Sequence, residues 1–137
     1  MNISKHFTLE QLTFSATALR HGIEEQNDPP EAVVKNLTYL SETVLEELLK
    51  RFPKMKINSG YRSPELNEIV KGSPKSFHLF GCAADLHFGS KEQNEKAFNY
   101  IKGNMLFTEL INEYQYSWVH VAIVKGREKE KRIKKIG

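Results

Sequence analysis

Apolar residues recur at spacings of three and four from Val33 through Leu37, Leu40 and Val44 to Leu48. On a 3.6-residue period they fall on one stripe, which predicts a core-facing helix of about five turns. Asp28 followed by Pro29 reads as its start, with Asp28 as N-cap and proline near the first helical position. The helix is expected to end near Arg51–Pro53. Upstream, Thr8 and Gln11 form a capping-box pattern ahead of a short helix. The second half of the chain mixes periods. Met55–Asn58 is a short strand candidate. Ser63 and Pro64 open a helix to about Val70, and residues 71–76 read as loop. Cys82–Phe88 alternates as a strand. Ser90 with Gln93 caps a helix that runs to about Lys102 and is expected to stop at Gly103. Leu106–Asn112 and Tyr116–Val124 read as two more strands with a tight connection. Helices followed by a small antiparallel sheet make an α+β fold.

Composition narrows the class. At 137 residues with 39% hydrophobic content, the chain has the size of one domain and enough apolar side chains to bury a core. No apolar run is long enough to cross a membrane as a helix. The single cysteine, Cys82, excludes an intramolecular disulfide framework and a multi-cysteine zinc site, and an inert buried thiol is the expected state. The polar start, MNISKHFTLEQL, lacks the apolar stretch of a secretory signal. A soluble domain is therefore expected, cytoplasmic at synthesis or leaving the cell by another route. The net charge of +3 is too small to imply a polyanionic partner, and no nucleic acid is expected. The positive charge collects at one end, where residues 125–137 hold seven Lys or Arg against two Glu. The division expected is a domain over 1–124 and a basic tail over 125–137, the tail reading as a solvated, frayed end.

Three segments carry polar residues that a core strand or a plain turn does not need: 57–67, 76–88 and 109–124. In the second, Asp85 lies inside an apolar strand. Parity puts Ala84, Leu86 and Phe88 on one face and Ala83, Asp85 and His87 on the other. A carboxylate there needs a cation or hydrogen bonds to offset its desolvation. In the third segment, Val119, Val121 and Ile123 form the apolar face, and Trp118, His120 and Ala122 point the opposite way. Asp85 and His120 share a cleft if the two strands are neighbours. His78, just before the turn that Gly81 permits, adds a second imidazole. Two imidazoles, one carboxylate and an open position suit a catalytic zinc, which acidifies water to a pKa of about 7. Parity alone leaves His87 open as a ligand. His6 and His21 fall in the helical N-terminal part and read as surface or packing residues.

Ser76, His78, Gly81, Ala83 and Asp85 form an S-x-H-x-x-G-x-A-x-D pattern. It resembles the signature of the zinc D-Ala-D-Ala carboxypeptidases, a family that includes D-Ala-D-Ala dipeptidases, phage peptidoglycan endopeptidases and the hedgehog signalling domain. W-V-H at 118–120 resembles the third-ligand strand of that family, and SGYRSPELN at 59–67 its arginine-bearing segment. FTLEQLTFSATALRHGI at 7–23 is similar to the N-terminal helix of a small, phage- or prophage-borne branch. The resemblance implies a hedgehog/DD-peptidase-like fold and one Zn2+ on His78, Asp85 and His120. It implies that Arg62 meets a substrate carboxylate or the developing oxyanion, with Ser76 as a neighbouring polar contact. The implied substrate is a peptidoglycan peptide, and the chain is expected to act as a monomer.

Two positions depart from the family pattern. Phe77 replaces a polar residue, often Gln. Ser117 stands where many relatives have an acid three residues before the third ligand. Glu113 is the nearest acid upstream and matches the L-I-x-E…W-V-H pattern of the small branch, which makes it the expected general base. Glu109 has the same strand parity, and a short hairpin is expected to bring Glu113 closer to His120 than Glu109. The alternative to an enzyme is a non-catalytic zinc module that binds wall fragments or a protein partner.

Overall fold

The computed structural model describes all 137 residues. Two short helices, α1 (Leu9–Thr13) and α2 (Ala16–His21), open the chain. The Thr8–Gln11 capping box is present at α1. Then α3 (Glu31–Leu40) passes through a π-helical turn at Ser41–Leu45 into α4 (Glu46–Arg51). Strand β1 (Lys56–Ser59), α5 (Pro64–Ile69), β2 (Ala83–His87), α6 (Lys91–Asn104), β3 (Glu109–Glu113), β4 (Trp118–Ala122) and β5 (Arg132–Ile136) follow. The five strands form one sheet in the order β1-β2-β4-β3-β5. The first four are antiparallel to their neighbours, and β5 runs parallel to β3. The fold is α+β, and the sheet is mixed. No helix is long and apolar enough to cross a membrane.

The two faces of the sheet do different work. Ala84, Leu86 and Phe88 from β2 and its end, with Val119, Val121 and Ile123 from β4 and its end, join one core cluster. Against them pack Val33, Leu37, Leu40, Val44 and Leu48, and from α6 Ala97, Phe98 and Ile101. All five stripe positions are buried, each leucine contributing about 1.5–3 kcal/mol. The opposite face carries Asp85, His120 and the odd-numbered residues of β3 toward a cleft.

Three expectations need correction. The long helix begins at Glu31 behind Pro30, not at Asp28, and no side chain caps it. A residue followed by proline is driven out of the helical region, so Pro29 ahead of Pro30 cannot take the first helical position. Gly103 does not stop α6, which runs on to Asn104. The segment expected to be a frayed tail forms β5. All five of its residues are exposed, so hydropathy carried no sign of it, and the backbone pairing to β3 is what holds it.

One buried side chain ties the N-terminal helices to the segment 59–67. Gln26 is fully buried and donates to Thr13 O (2.7 Å) and Tyr61 O (2.8 Å). Its Oε1 accepts from Ser63 N–H at 2.7 Å. It thus fixes the residues on both sides of Arg62. Gln26→Ala orphans three buried backbone groups and is expected to lower stability by about 3 kcal/mol. Urea denaturation checks this as a drop in midpoint at unchanged slope; a loss under about 1 kcal/mol would contradict it.

Candidate metal centre

Local structure aims each side chain. Gly60 packs against α1 so closely that a Cβ would meet Leu12 O at 2.4 Å. Its carbonyl is thereby placed 2.6 Å from His78 Nδ1. His78 lies in a 3-10 turn, Phe77–Phe80, that Ser76 Oγ caps by accepting its N–H. Gly81 ends that turn with φ +74, where a Cβ would strike Val33 O at 2.8 Å, and the chain enters β2. On the sheet, Asp85 and His120 are directly paired in register. The condition for the two side chains to share a cleft, that these strands are neighbours, is met.

The ligand atoms of His78, Asp85 and His120 lie within 4.8 Å of one another, and all three residues are buried. His78 Nε2 is 3.3 Å, and His120 Nδ1 3.0 Å, from the same oxygen, Asp85 Oδ1. The rings stand 5.2 Å apart, edge to face. The outer nitrogens have other partners. A carbonyl only accepts, so His78 Nδ1 carries the proton toward Gly60 O. His120 Nε2 meets Glu109 Oε1 at 3.1 Å, and a carboxylate there again takes an N–H. In neutral rings the two inner nitrogens are then lone pairs, both aimed at a carboxylate oxygen. A cation between them turns three mutually repelling acceptors into three ligands. The donor set, two imidazoles and a carboxylate with outer N–H groups held by a carbonyl and a carboxylate, suits zinc.

The same contacts set the charges of the cluster. Burial works against the charge of Asp85, but contacts from His120 and His78 outweigh it and hold the carboxyl well below its usual range. Burial likewise opposes a charge on His120, and Asp85 and Glu109 more than offset it, raising its pKa. The contact from His120 is the largest reason that Glu109 falls to about 2, against the opposing effect of its burial, and Lys134 adds to it. Glu113 moves the other way. Desolvation raises its pKa and the Asp85 charge adds to the rise, against smaller opposing effects from His120, Trp118 and Arg62.

These residues line a cleft of about 750 Å3, the size of a site for a small ligand or peptide segment. Arg62 reaches it with its guanidinium spread over three acceptors: Ser59 Oγ (3.4 Å), Asn67 Oδ1 (3.2 Å) and Asp85 Oδ2 (3.5 Å). Ser76, Glu113 and Trp118 are on its wall. Phe77 also lines it, under the guanidinium groups of Arg127 and Arg132 at 5.5 and 5.7 Å. His87 is not in the cluster; its Nδ1 accepts from Gly89 N–H at 3.1 Å. His6 is exposed and pairs with Glu46 at the surface. Tyr61 is a core aromatic. Cys82 is buried and its thiol is pushed up to about 11, which leaves it inert.

The ordered motifs and this cluster agree with a match to the family model described as Peptidase M15, over residues 5–122. The chain belongs to the peptidase M15 family. This is the family of zinc D-Ala-D-Ala carboxypeptidase-like enzymes that the motifs resemble, and membership makes the chain a peptidase-type hydrolase. No curated protein matches it. All three residues of the buried His-Asp-His cluster fall inside the M15 match.

The hairpin register corrects one argument about the acids. Ile111, not Glu113, pairs with His120, so Glu109 and Glu113 flank it two residues to either side. It is Glu109 that touches His120. Parity signalled that Glu109 faces the cleft, but its role in orienting His120 was missed. So was Lys134, whose Nζ lies 3.3 Å from Glu109 Oε2, because its segment read as tail.

Proposed function

We propose that this M15 peptidase is a zinc enzyme that hydrolyses peptide bonds in peptidoglycan stem peptides, with the metal held by His78, Asp85 and His120. The convergence of two inner imidazole nitrogens on one buried carboxylate oxygen, inside a cleft large enough for a peptide, is the observation that carries it. When bound, zinc supplies Lewis acidity at the scissile carbonyl and acidifies water to near neutrality. The protein supplies the proton transfers and the grip on the substrate. Glu113 is the general base: it takes a proton from the attacking water and returns it to the leaving amine. Its half-buried carboxyl, raised by desolvation, is a stronger proton acceptor than an exposed carboxylate. Glu109 is engaged on both oxygens and is not free for that work.

Arg62 binds the substrate carboxylate or the oxyanion, and the Ser76 hydroxyl, whose oxygen already caps His78, has its hydrogen left to donate. The likeness of residues 7–23 to the phage-borne branch supports a role as a lysis protein that acts at the cell wall. Chelation should stop the release of new amino groups from purified peptidoglycan, and zinc should restore it; release that persists through exhaustive chelation would overturn the zinc mechanism.

Arg62→Lys tests the grip. Lysine keeps the charge but cannot span three acceptors with a planar fork. Turnover is expected to fall by at least about tenfold, ~1.4 kcal/mol, with zinc content unchanged. Unchanged kinetics would remove Arg62 from the site.

A further inference from the structure

Strand β5 lies beyond the residues that match the M15 model, yet it reaches into the cleft. It is held along its whole length, from Glu109↔Arg132 to Glu113↔Ile136. Lys131 N–H bonds Phe107 O at 3.1 Å at one end, and Tyr114 N–H bonds Ile136 O at 2.6 Å at the other. Alternation then turns Arg132, Lys134 and Ile136 toward the cleft and Lys135 away from it. Lys134 Nζ sits 3.3 Å from Glu109 Oε2, while Glu109 Oε1 takes the outer nitrogen of His120 at 3.1 Å. The Glu109 side chain is only 10% exposed. A carboxylate so placed needs a cation to stay ionised and in one rotamer. Both of its oxygens are committed, one to a ring in the metal cluster and one to the last strand.

We infer that Lys134 is a positioning residue of the metal centre: it clamps Glu109, which fixes the His120 ring with Nδ1 facing Asp85. The C-terminal strand, outside the residues that match the family model, is then a working part of the centre. The inference rests on the metal reading of His78, Asp85 and His120. Its sign separates it from a simple field effect. The Lys134 charge repels a divalent cation in the same cleft, so its field alone predicts tighter zinc binding once the charge is removed. The clamp predicts weaker binding, because outer partners of a ligating histidine are worth about 10–100-fold in affinity.

The test is the zinc Kd of the full chain, read by competition with a chromophoric chelator. Lys134→Met is expected to weaken binding by about tenfold or more, while Lys134→Arg stays within about threefold of wild type. Lys135→Met, which removes the same charge from the other side of β5, should leave Kd unchanged. An unchanged or tighter Kd for Lys134→Met, or an equal loss in Lys135→Met, overturns the inference. Should Lys134→Met fail to fold, Glu109→Gln is the second variant. It keeps an acceptor for His120 but gives up the charge that Lys134 clamps, and it should weaken zinc binding by a similar factor; wild-type affinity there also overturns the clamp. A wild-type chain that binds no zinc sinks the metal reading itself, whereas tight wild-type binding with equal variants sinks only the role of Lys134.

Discussion

Glu113→Gln is expected to lower turnover of wall peptides by about two orders of magnitude or more, with zinc content and thermal stability at wild-type levels. The substitution keeps the shape of the side chain and removes its proton-accepting oxygen. Glu113 ends β3 opposite Trp118, and its place depends on the turn that follows. Tyr114, Gln115 and Tyr116 all have positive φ, a costly run for residues with side chains. The turn is held from outside: Asn112 Oδ1 accepts from Tyr116 N–H at 2.7 Å, and Asn94 Nδ2 donates to Tyr116 O at 2.8 Å. Glu109→Gln is the matching control. It touches the orientation of His120, not the proton transfer, so it is expected to lose several-fold in rate, well short of the Glu113 effect. A Glu113→Gln enzyme with the wild-type rate would move the base to another group.

His120→Ala should abolish tight zinc binding, and His87→Ala should leave it intact. His120 offers its inner nitrogen 3.0 Å from Asp85 Oδ1, and its loss removes one of the three proposed metal ligands. An alanine there also leaves Asp85 and Glu109 without their shared partner, so a fall in stability accompanies the loss of metal. His87 shares the strand face of Asp85 but stands two residues further on, beside the turn at Gly89 that engages it. Metal analysis after dialysis checks both variants. An empty site in His87→Ala with a full one in His120→Ala would reverse the assignment.

Much of this architecture was legible in the residues. The stripe from Val33 to Leu48 marked its helix because burial on one side imposes the period. Strand parity placed Asp85 and His120 on one face because β2 and β4 alternate cleanly over an apolar core. What escaped was decided by distant partners. β5 is exposed throughout and owes its place to the unpaired edge of β3, which no hydropathy pattern encodes. The parity of Glu109 was readable, but its contact with His120 depends on the register of a hairpin, and its second partner comes from β5. Arg62 stood out in its motif, yet Asn67 and Gln26, which hold it and its neighbours, are ordinary polar residues in sequence.

The central claim, a zinc peptidase acting on wall peptides, is tested most directly by digestion of purified muropeptides with the zinc-loaded chain and mass-spectrometric identification of the products. The account predicts paired new amino and carboxyl termini at one peptide bond, absent after chelation and nearly absent with Glu113→Gln. Intact muropeptides after prolonged incubation with a chain that holds zinc would contradict it.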